Sequence, residues 1–361
     1  MNLEESFTDI SARIGDFISR CEGGVSSAAD FNRLALDLAA LQFKTNAPFR
    51  RLCEARGVLP DSIGDWRRIP AMPTAAFKEL EVTSLTPEQR VQVFHSSGTT
   101  DQTPSRHFHD EESMALYETS LKHWFERNVP DAFALPARFG LLTPPAADAP
   151  NSSLAHMFAT VKGAFGAPDS AWLGAHDDSG AWAIDPNACL AFLESAVADQ
   201  RPVVLLGTAF LFVHLIDSLQ AAGRRFALPD GSRVTETGGY KGRSRELSRE
   251  ELHRLIAQYL GVEIGSILRE YGMSELSSQA YARADRAFQF PPWARATVIS
   301  PETGLEVAVG DTGLVRIVDL ANVRSVAAIQ TEDLGVRRDF GFELLGRASM
   351  AEPRGCSRMT V

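Results

Sequence analysis

A hydroxyl-rich segment in the first third of the chain has the residue types that bind phosphate. Its five residues are Ser96, Ser97, Gly98, Thr99 and Thr100, and an apolar stretch precedes them. Small residues expose backbone N–H groups and hydroxyl groups add further donors, so such a loop can wrap a phosphate. It is not a Walker A loop, because no Gly-Lys-Ser/Thr follows it. The same composition also fits a polar surface turn.

Further motifs combine glycine with hydroxyl, acidic or basic residues. They are Thr237-Gly238-Gly239, Tyr271-Gly272-Met273-Ser274-Glu275, Thr331-Glu332-Asp333-Leu334-Gly335 and Gly346-Arg347. An acidic residue just past a strand-ending glycine, as Glu275 is, is well placed to hold Mg²⁺ beside a phosphate. Taken singly, Glu275 also fits a helix cap, and Asp333 also fits a turn.

Alternating strands and helices would position these motifs. Buried-strand patterns at residues 203–206, 234–237 and 267–271 are each followed by glycine. A capping box that begins at Ser248 opens a helix between the last two of these strands. The alternation predicts a sheet with parallel sections, and ligands bind at the carboxyl ends of such strands.

The two ends of the chain have different patterns. Apolar residues at helical spacing predict helices over residues 7–17 and 31–41, the second behind the cap candidate Asp30. Towards the C-terminus, alternating apolar residues predict a hairpin that joins residues 305–309 to residues 315–320 across a Gly-Asp-Thr-Gly turn.

In this order and spacing, the motifs resemble those of the adenylate-forming superfamily of acyl-CoA synthetases, over residues 94–347. The resemblance implies that the loop at residues 96–100 binds the ATP phosphates and that Glu275 helps to bind Mg²⁺. It also implies that Asp333 binds the ribose hydroxyl groups and that Arg347 lies at a hinge near the nucleotide. The nucleotide-binding residues implied in this way are Ser96, Ser97, Gly98, Thr99, Thr100, Thr237, Gly238, Gly239, Tyr271, Gly272, Ser274, Asp333 and Arg347.

Two departures narrow the resemblance. Members of the superfamily continue past the Gly-Arg motif into a small mobile domain whose lysine contacts the acyl-adenylate, whereas this sequence stops soon after Arg347. Asp101 and Ser105 stand where the common loop pattern has glycine and lysine.

The shortened C-terminus and residues 237–241 and 352–357 are similar to the acyl-protein synthetases of the LuxE type. That similarity implies that ATP activates a fatty acid and that the acyl group moves to a cysteine near the C-terminus, for delivery to an aldehyde-forming reductase.

Three residues are candidate catalytic residues within this resemblance. Cys356 lies between Arg354 and Arg358, and nearby positive charge favours the thiolate, which is the attacking form. Lys241 could neutralise the leaving pyrophosphate in place of the missing lysine, and His95 could position the carboxylate or a phosphate. An incidental exposed cysteine, a solvated lysine and a structural histidine are the alternatives.

Charge, cysteine and hydropathy patterns exclude several classes of protein. Lys and Arg total 36 against 46 Asp and Glu, a formal net charge of −10, whereas nucleic-acid binding needs a concentrated basic surface. No Cys-x-x-Cys pair occurs, which argues against a disulfide framework or a zinc site, and Cys21, Cys53 and Cys189 have the pattern of core residues. The longest apolar run, residues 202–216, is shorter than the roughly 20 residues of a membrane span, and the acidic N-terminus differs from a signal peptide. We therefore expect a cytoplasmic protein without a nucleic-acid partner or a membrane span.

We predict an α/β fold, the large domain of an adenylate-forming enzyme. A helical N-terminal region (residues 1–90) precedes the α/β core (residues 91–345), and a loosely held tail (residues 346–361) takes the place of the C-terminal lid. The predicted activity needs ATP and Mg²⁺, activates a carboxylic acid of the fatty type and transfers the acyl group to Cys356, with a reductase-like or carrier protein as partner. The alternatives are an acyl-CoA or aryl-CoA ligase, with coenzyme A as acceptor, and a non-catalytic nucleotide-binding partner subunit.

Overall fold

The computed structural model describes residues 3–21, 27–96, 103–129, 138–240, 244–283 and 286–348. Its α-helices are α1 (Leu3–Arg20), α2 (Ala28–Thr45), α3 (Ala47–Ala55), α4 (Ala76–Glu79), α5 (Glu111–Asn128), α6 (Ser153–Phe165), α7 (Pro186–Ala198), α8 (Ala209–Ala221) and α9 (Arg249–Leu260). Its strands are β1 (Met72–Pro73), β2 (Gln92–His95), β3 (Arg106–His109), β4 (Arg138–Leu141), β5 (Ala171–Trp172), β6 (Gly174–His176), β7 (Trp182–Ile184), β8 (Val203–Thr208), β9 (Arg233–Thr237), β10 (Ile267–Tyr271), β11 (Ala280–Arg283), β12 (Ala294–Ile299), β13 (Thr312–Asp319), β14 (Ala328–Arg337) and β15 (Phe342–Arg347).

The N-terminal helices form as their apolar spacing predicts. In α1 the side chains of Phe7, Ile10 and Ile14 are buried, and the helix packs against α2 and α5. The prediction that Asp30 caps α2 is wrong, because the helix begins earlier. Ser27 is the N-cap, and its hydroxyl group accepts a hydrogen bond from the backbone N–H of Asp30.

The central sheet has the strand order β11-β10-β9-β8-β4-β5 in the described residues. Every neighbouring pair from β10 to β5 is parallel, and β11 is antiparallel to β10. The three predicted buried strands are therefore confirmed as β8, β9 and β10, and their carboxyl ends meet at one edge of the sheet. The N-cap half of the predicted capping box also forms, because the Ser248 hydroxyl group accepts a hydrogen bond from the N–H of Glu251 at the start of α9.

Both faces of this sheet are covered by apolar side chains, which explains the continuous hydrophobic run at the start of β8. Leu205 and Val234 belong to a cluster with residues of α7, α8 and α9. Leu206 and Leu268, which alternate with them, belong to a larger cluster that includes Tyr117 of α5. Side chains at the carboxyl ends of β9 and β10 therefore lie either within or against one of these two apolar clusters, or beyond the edge of the central sheet.

The second sheet has the order β1-β14-β13-β12, and β15 pairs with the second half of β14. The predicted hairpin of residues 305–309 with β13 is wrong. β12 already occupies that edge of β13 from Leu314 to Asp319, so residues 305–309 form only an isolated bridge between Ile299 and Glu306. Leu305, which is 70% exposed, lies in the connection.

The N-terminal region is joined to the rest of the fold by backbone pairing as well as by packing. Met72 and Pro73 of β1 pair in parallel with Ile329 and Gln330 of β14. The predicted domain boundaries at residues 90 and 345 stay predictions. Among the residues that the structure describes, no helix combines the length and the apolar character that a bilayer span requires.

Candidate active site

Residues 271–275, which comprise the last residue of β10 and the turn after it, are the point at which the sequence motifs meet. The Tyr271 hydroxyl group donates a hydrogen bond of 2.7 Å to Oδ2 of Asp333. Asp333 lies within β14, so the interpretation of this residue as part of a turn is wrong. This hydrogen bond joins the carboxyl end of the central sheet to the second sheet.

Of the two carboxylate oxygens of Asp333, Oδ2 accepts a hydrogen bond from Tyr271 and Oδ1 faces Arg347. Arg347 is its partner in the β14–β15 register, with Nε 3.7 Å from Oδ1, but the Arg347 side chain is 80% exposed. Burial raises the pKa of Asp333, and the Tyr271 hydrogen bond and the Arg347 charge oppose that increase. A half-buried carboxylate with one firmly bound oxygen suits the recognition of vicinal hydroxyl groups, which donate hydrogen bonds.

The hydroxyl-rich loop begins and ends beside the same segment. The Ser96 N–H donates to Ser105 O at 3.3 Å, and the Ser105 N–H donates to Ser96 Oγ at 2.9 Å, which closes the base of the β2–β3 hairpin. Ser105 Oγ lies 3.3 Å from Ser274 Oγ. Ser97, Gly98, Thr99 and Thr100, which are at the tip of this hairpin in the sequence, lie outside the described residues.

A buried histidine of β3, which none of the sequence motifs includes, also contacts this segment. His107 Nδ1 lies 2.8 Å from the carbonyl oxygen of Ser274. Burial lowers the pKa of His107 to about 4, so the imidazole is neutral and Nδ1–H donates to that carbonyl. The contact fixes the backbone at the residue that precedes Glu275.

Glu275 is buried, with 6% of its surface exposed, and lies in a turn rather than at a helix end. The helix-cap interpretation of this residue is therefore wrong. Ser274 Oγ donates to Glu275 Oε2 at 3.2 Å, and Asn322 Nδ2 donates to the Glu275 carbonyl oxygen at 2.9 Å.

A single buried carboxylate fits Mg²⁺ bound mainly by a nucleotide. No cluster of three or more His, Cys, Asp or Glu side chains that could hold a metal occurs in the described part of the chain. Mg²⁺ in nucleotide sites takes one or two carboxylates and completes its shell with phosphate oxygens and water. The donor set around Glu275 agrees with that pattern and would not form an all-protein cage.

The Thr-Gly-Gly motif lies one strand away and contacts a residue that the motifs did not include. Thr237 ends β9, and its hydroxyl group donates a hydrogen bond to Oε2 of Glu270 in β10. Burial raises the pKa of Glu270 to about 7. Gly238 has φ +65°, which favours glycine, and both Gly238 and Gly239 are exposed. The feature of the sequence that could have identified Glu270 as a functional residue is an acidic side chain inside a buried-strand pattern.

His95, Lys241 and Cys356 are the remaining candidate residues. His95 is half-buried in β2, where its backbone N–H donates to Asn151 O, and burial lowers its pKa. Lys241 and Cys356 lie outside the described residues. The roles predicted for these three residues stay predictions.

The cysteines that the structure describes are core residues, as predicted. Cys21, Cys53 and Cys189 are each at most 4% exposed. Burial raises the pKa of Cys53 to about 11 and that of Cys189 to about 12, and it also raises the pKa of Cys21. All three therefore remain protonated thiols near neutral pH.

Comparisons with known proteins agree with this geometry. The family model described as "Acyl-protein synthetase, LuxE" matches residues 27–360. A long-chain-fatty-acid–luciferin-component ligase of Vibrio harveyi is 24% identical over 320 residues, which cover 85% of this chain and 79% of the relative. The Aliivibrio fischeri protein of the same name is 22% identical over 169 residues, and the match spans 45% of its length.

Solved structures show the same fold. The open conformation of 2-hydroxyisobutyryl-CoA ligase, in complex with 2-HIB-AMP and CoA, superposes with a TM-score of 0.64 at 12% identity. The superposition covers 89% of this chain and 75% of that one. The predicted α/β fold of an adenylate-forming enzyme with a helical N-terminal region is confirmed.

Family and fold together support the activation of an acid by ATP, and the prediction of an AMP-forming ligase is confirmed. The family match extends over the hydroxyl-rich loop, the motifs that meet at residues 271–275 and the Asp333–Arg347 pair. The chain belongs to the LuxE family of acyl-protein synthetases.

Proposed function

We propose that this protein activates a fatty acid with ATP and then transfers the acyl group to its own Cys356. The observation that carries the first half is the convergence of the Ser96–Ser105 hairpin base, Ser274, Tyr271 and Asp333 around one strand end. The names of the two curated relatives, which are ligases of long-chain fatty acids, support the choice of a fatty acid.

The first half-reaction converts the carboxylate, which is a poor electrophile, into the more reactive acyl-adenylate. A carboxylate oxygen of the acid attacks the α-phosphorus of ATP, the bond to the bridging oxygen breaks, and pyrophosphate leaves. In this proposal the loop at residues 96–100 donates hydrogen bonds to the phosphates, Asp333 accepts them from the ribose, and Arg347 adds positive charge. Fixed donors aimed at the charge that develops on phosphate are the main source of catalysis in such a step.

In this proposal, Glu275 is the side chain that binds Mg²⁺. The buried carboxylate is the residue that would hold the ion, which supplies charge neutralisation for the phosphate oxygens. Ser274 and Asn322 orient Glu275 through its side chain and its carbonyl group, respectively.

The second half-reaction needs a thiolate. The sulfur attacks the acyl carbonyl carbon, the thioester forms, and AMP leaves with the electron pair of the broken C–O bond. Three of the four cysteines are buried and stay protonated, which supports Cys356 with its two neighbouring arginines as the acceptor. A reductase-like or carrier protein would then remove the acyl group, and we expect both reactions in the cytoplasm.

Exchange of labelled pyrophosphate into ATP tests the first half. We expect exchange that depends on Mg²⁺ and on the added acid, and the series of straight-chain acids from short to long gives the preferred chain length. No exchange with any acid would contradict the activation step and favour a nucleotide-binding subunit without catalysis.

Acyl labelling tests the second half. Wild-type protein incubated with ATP and labelled acid should accumulate a label that hydroxylamine removes, and Cys356→Ser should keep pyrophosphate exchange but lose the label. Cys53→Ser and Cys189→Ser are the matched controls and should label normally. Label that persists on Cys356→Ser would contradict the acceptor, and formation of soluble acyl-CoA by an unlabelled wild-type protein would favour the CoA ligase.

A further inference from the structure

We propose that Glu270 is a positioning residue of this site: its buried carboxyl group holds the Thr237-Gly238-Gly239 turn against the end of β10, and a negative charge on it opposes the binding of a polyanion. The inference rests on the proposed function, because it assigns Glu270 to the site that binds ATP. No motif in the sequence includes this residue.

The first observation is the bond between the two strand ends. Thr237 and Glu270 are direct partners in the parallel β9–β10 register. The Thr237 hydroxyl group donates to Oε2 of Glu270, and both residues are about 95% buried. Beyond Thr237 the chain becomes exposed at Gly238, so this bond is the last buried contact before the turn.

The second observation is the position of the other carboxylate oxygen. A Cβ atom placed on Gly272 would lie 2.5 Å from Oε1 of Glu270. The carboxyl group therefore lies over the backbone of Gly272 and fills the space that any other side chain would take. The Glu270 carboxyl group thus lies between two motifs of the site. One of its oxygens accepts from Thr237, and the other lies beside Gly272.

The third observation is the charge around Glu270. Tyr281 of β11 and Tyr117 of α5 face it from their elements, and Glu236 of β9 adds an unfavourable negative charge. Of the described residues that interact with it electrostatically, none is positively charged. The neutral carboxyl group is thus favoured in the protein below about pH 7.

The protonation state has a consequence for a polyanionic ligand. A neutral Glu270 accepts from Thr237 and adds no charge beside the phosphates. An ionised Glu270 adds a negative charge to the site, and like charges about 4 Å apart weaken binding about fivefold even at the dielectric constant of water. ATP affinity should therefore fall as the pH rises through the titration of Glu270.

Calorimetric titration of ATP at several pH values between 6 and 8.5 tests this. We expect the dissociation constant of the wild type to rise about fivefold over this range. Glu270→Gln, whose amide oxygen still accepts from Thr237, should bind ATP with little dependence on pH. Glu270→Leu, which cannot hold the turn, should bind more weakly at every pH. Glu236→Gln, which removes the negative charge on the opposite face of β9, should keep a pH dependence but shift it to lower pH, because that charge raises the pKa of Glu270.

A double-mutant cycle tests the geometry separately. Gly272→Ala should displace the Glu270 carboxyl group and weaken ATP binding, and it should weaken binding much less in a Glu270→Ala background. Additive effects, or ATP binding by Glu270→Leu equal to that of wild type with only a lower melting temperature, would overturn the positioning role. Parallel pH curves for wild type and Glu270→Gln would overturn the charge effect. If wild type itself fails to bind ATP and to exchange pyrophosphate, the proposed function fails and this inference with it.

Discussion

Replacing Glu270 by glutamine should change how the stability of the protein depends on pH. The pKa of this carboxyl group is 4.5 in an unfolded chain and about 7 in the folded protein, because burial disfavours the charge. Between these two values the native state binds more protons than the unfolded state, so the free energy of unfolding falls as the pH rises. The stabilisation is fully present below pH 4.5 and is lost as the pH rises through about 7.

The magnitude follows from the two pKa values. Each pKa unit corresponds to about 1.4 kcal/mol, so the total contribution is about 3 kcal/mol, most of which is lost between pH 5 and 8.5. Glutamine has almost the same shape and does not ionise. The difference in unfolding free energy between Glu270→Gln and wild type should therefore move in favour of the variant by about 2–3 kcal/mol across this range.

Urea unfolding at half-unit pH steps, followed by far-UV circular dichroism, measures this difference. Subtraction of the wild-type curve removes contributions that both proteins share, including the opposite slope from His107 and His109, whose pKa values burial lowers. A difference between the two proteins that stays constant from pH 5 to 8.5 would refute the argument that Glu270 is a buried carboxyl group that is neutral below pH 7.

Three further predictions concern the nucleotide. Glu275→Gln should lower Mg²⁺-dependent pyrophosphate exchange by orders of magnitude with an unchanged circular dichroism spectrum, and exchange equal to wild type would remove Glu275 from the reaction. Thr99→Val with Thr100→Val should weaken ATP binding by about one to two decades per lost contact, since a hydrogen bond to a charged group contributes about 1.5–3 kcal/mol. An unchanged affinity by calorimetry would favour the interpretation of this segment as a polar surface turn. Tyr271→Phe removes the hydrogen bond that holds Asp333 and should reduce affinity for adenosine nucleotides about tenfold, whereas affinity for inorganic pyrophosphate should stay the same.

The sequence predicts the central sheet well because the residue types within each strand indicate that the strand is buried. Residues 203–206 are continuously apolar, which in strands that alternate with helices is typical of a sheet covered on both sides, and residues 267–271 are also buried throughout. The following glycines then mark the carboxyl ends, where ligands bind in parallel sheets. Local chemistry was sufficient here, since each strand and its turn are read from fewer than ten residues.

The errors occur where competition between neighbours decides the structure. Ser27 and Asp30 are both good cap residues, and which of them begins α2 depends on the packing of the first turn. The alternating residues 305–309 satisfy the strand pattern, but β12 occupies the edge of β13 that they would need. A period of two in the sequence identifies a strand that could form and does not say which edge is free.

The site illustrates the same limit over longer distances. Tyr271 and Asp333 are 62 residues apart, and Ser105 and Ser274 are 169 residues apart. The motifs predict each of these positions except Ser105, which the sequence marks only as a departure from the common loop pattern. Its structure gives that departure a reason, because Ser105 is fully buried with its hydroxyl group against Ser274, where a lysine would place an unpaired charge. Contacts with the hairpin, with β14 and with Asn322 thus hold the segment at residues 271–275. Because these contacts belong to the fold, we expect variants at them to change ATP binding before they change the rate of catalysis.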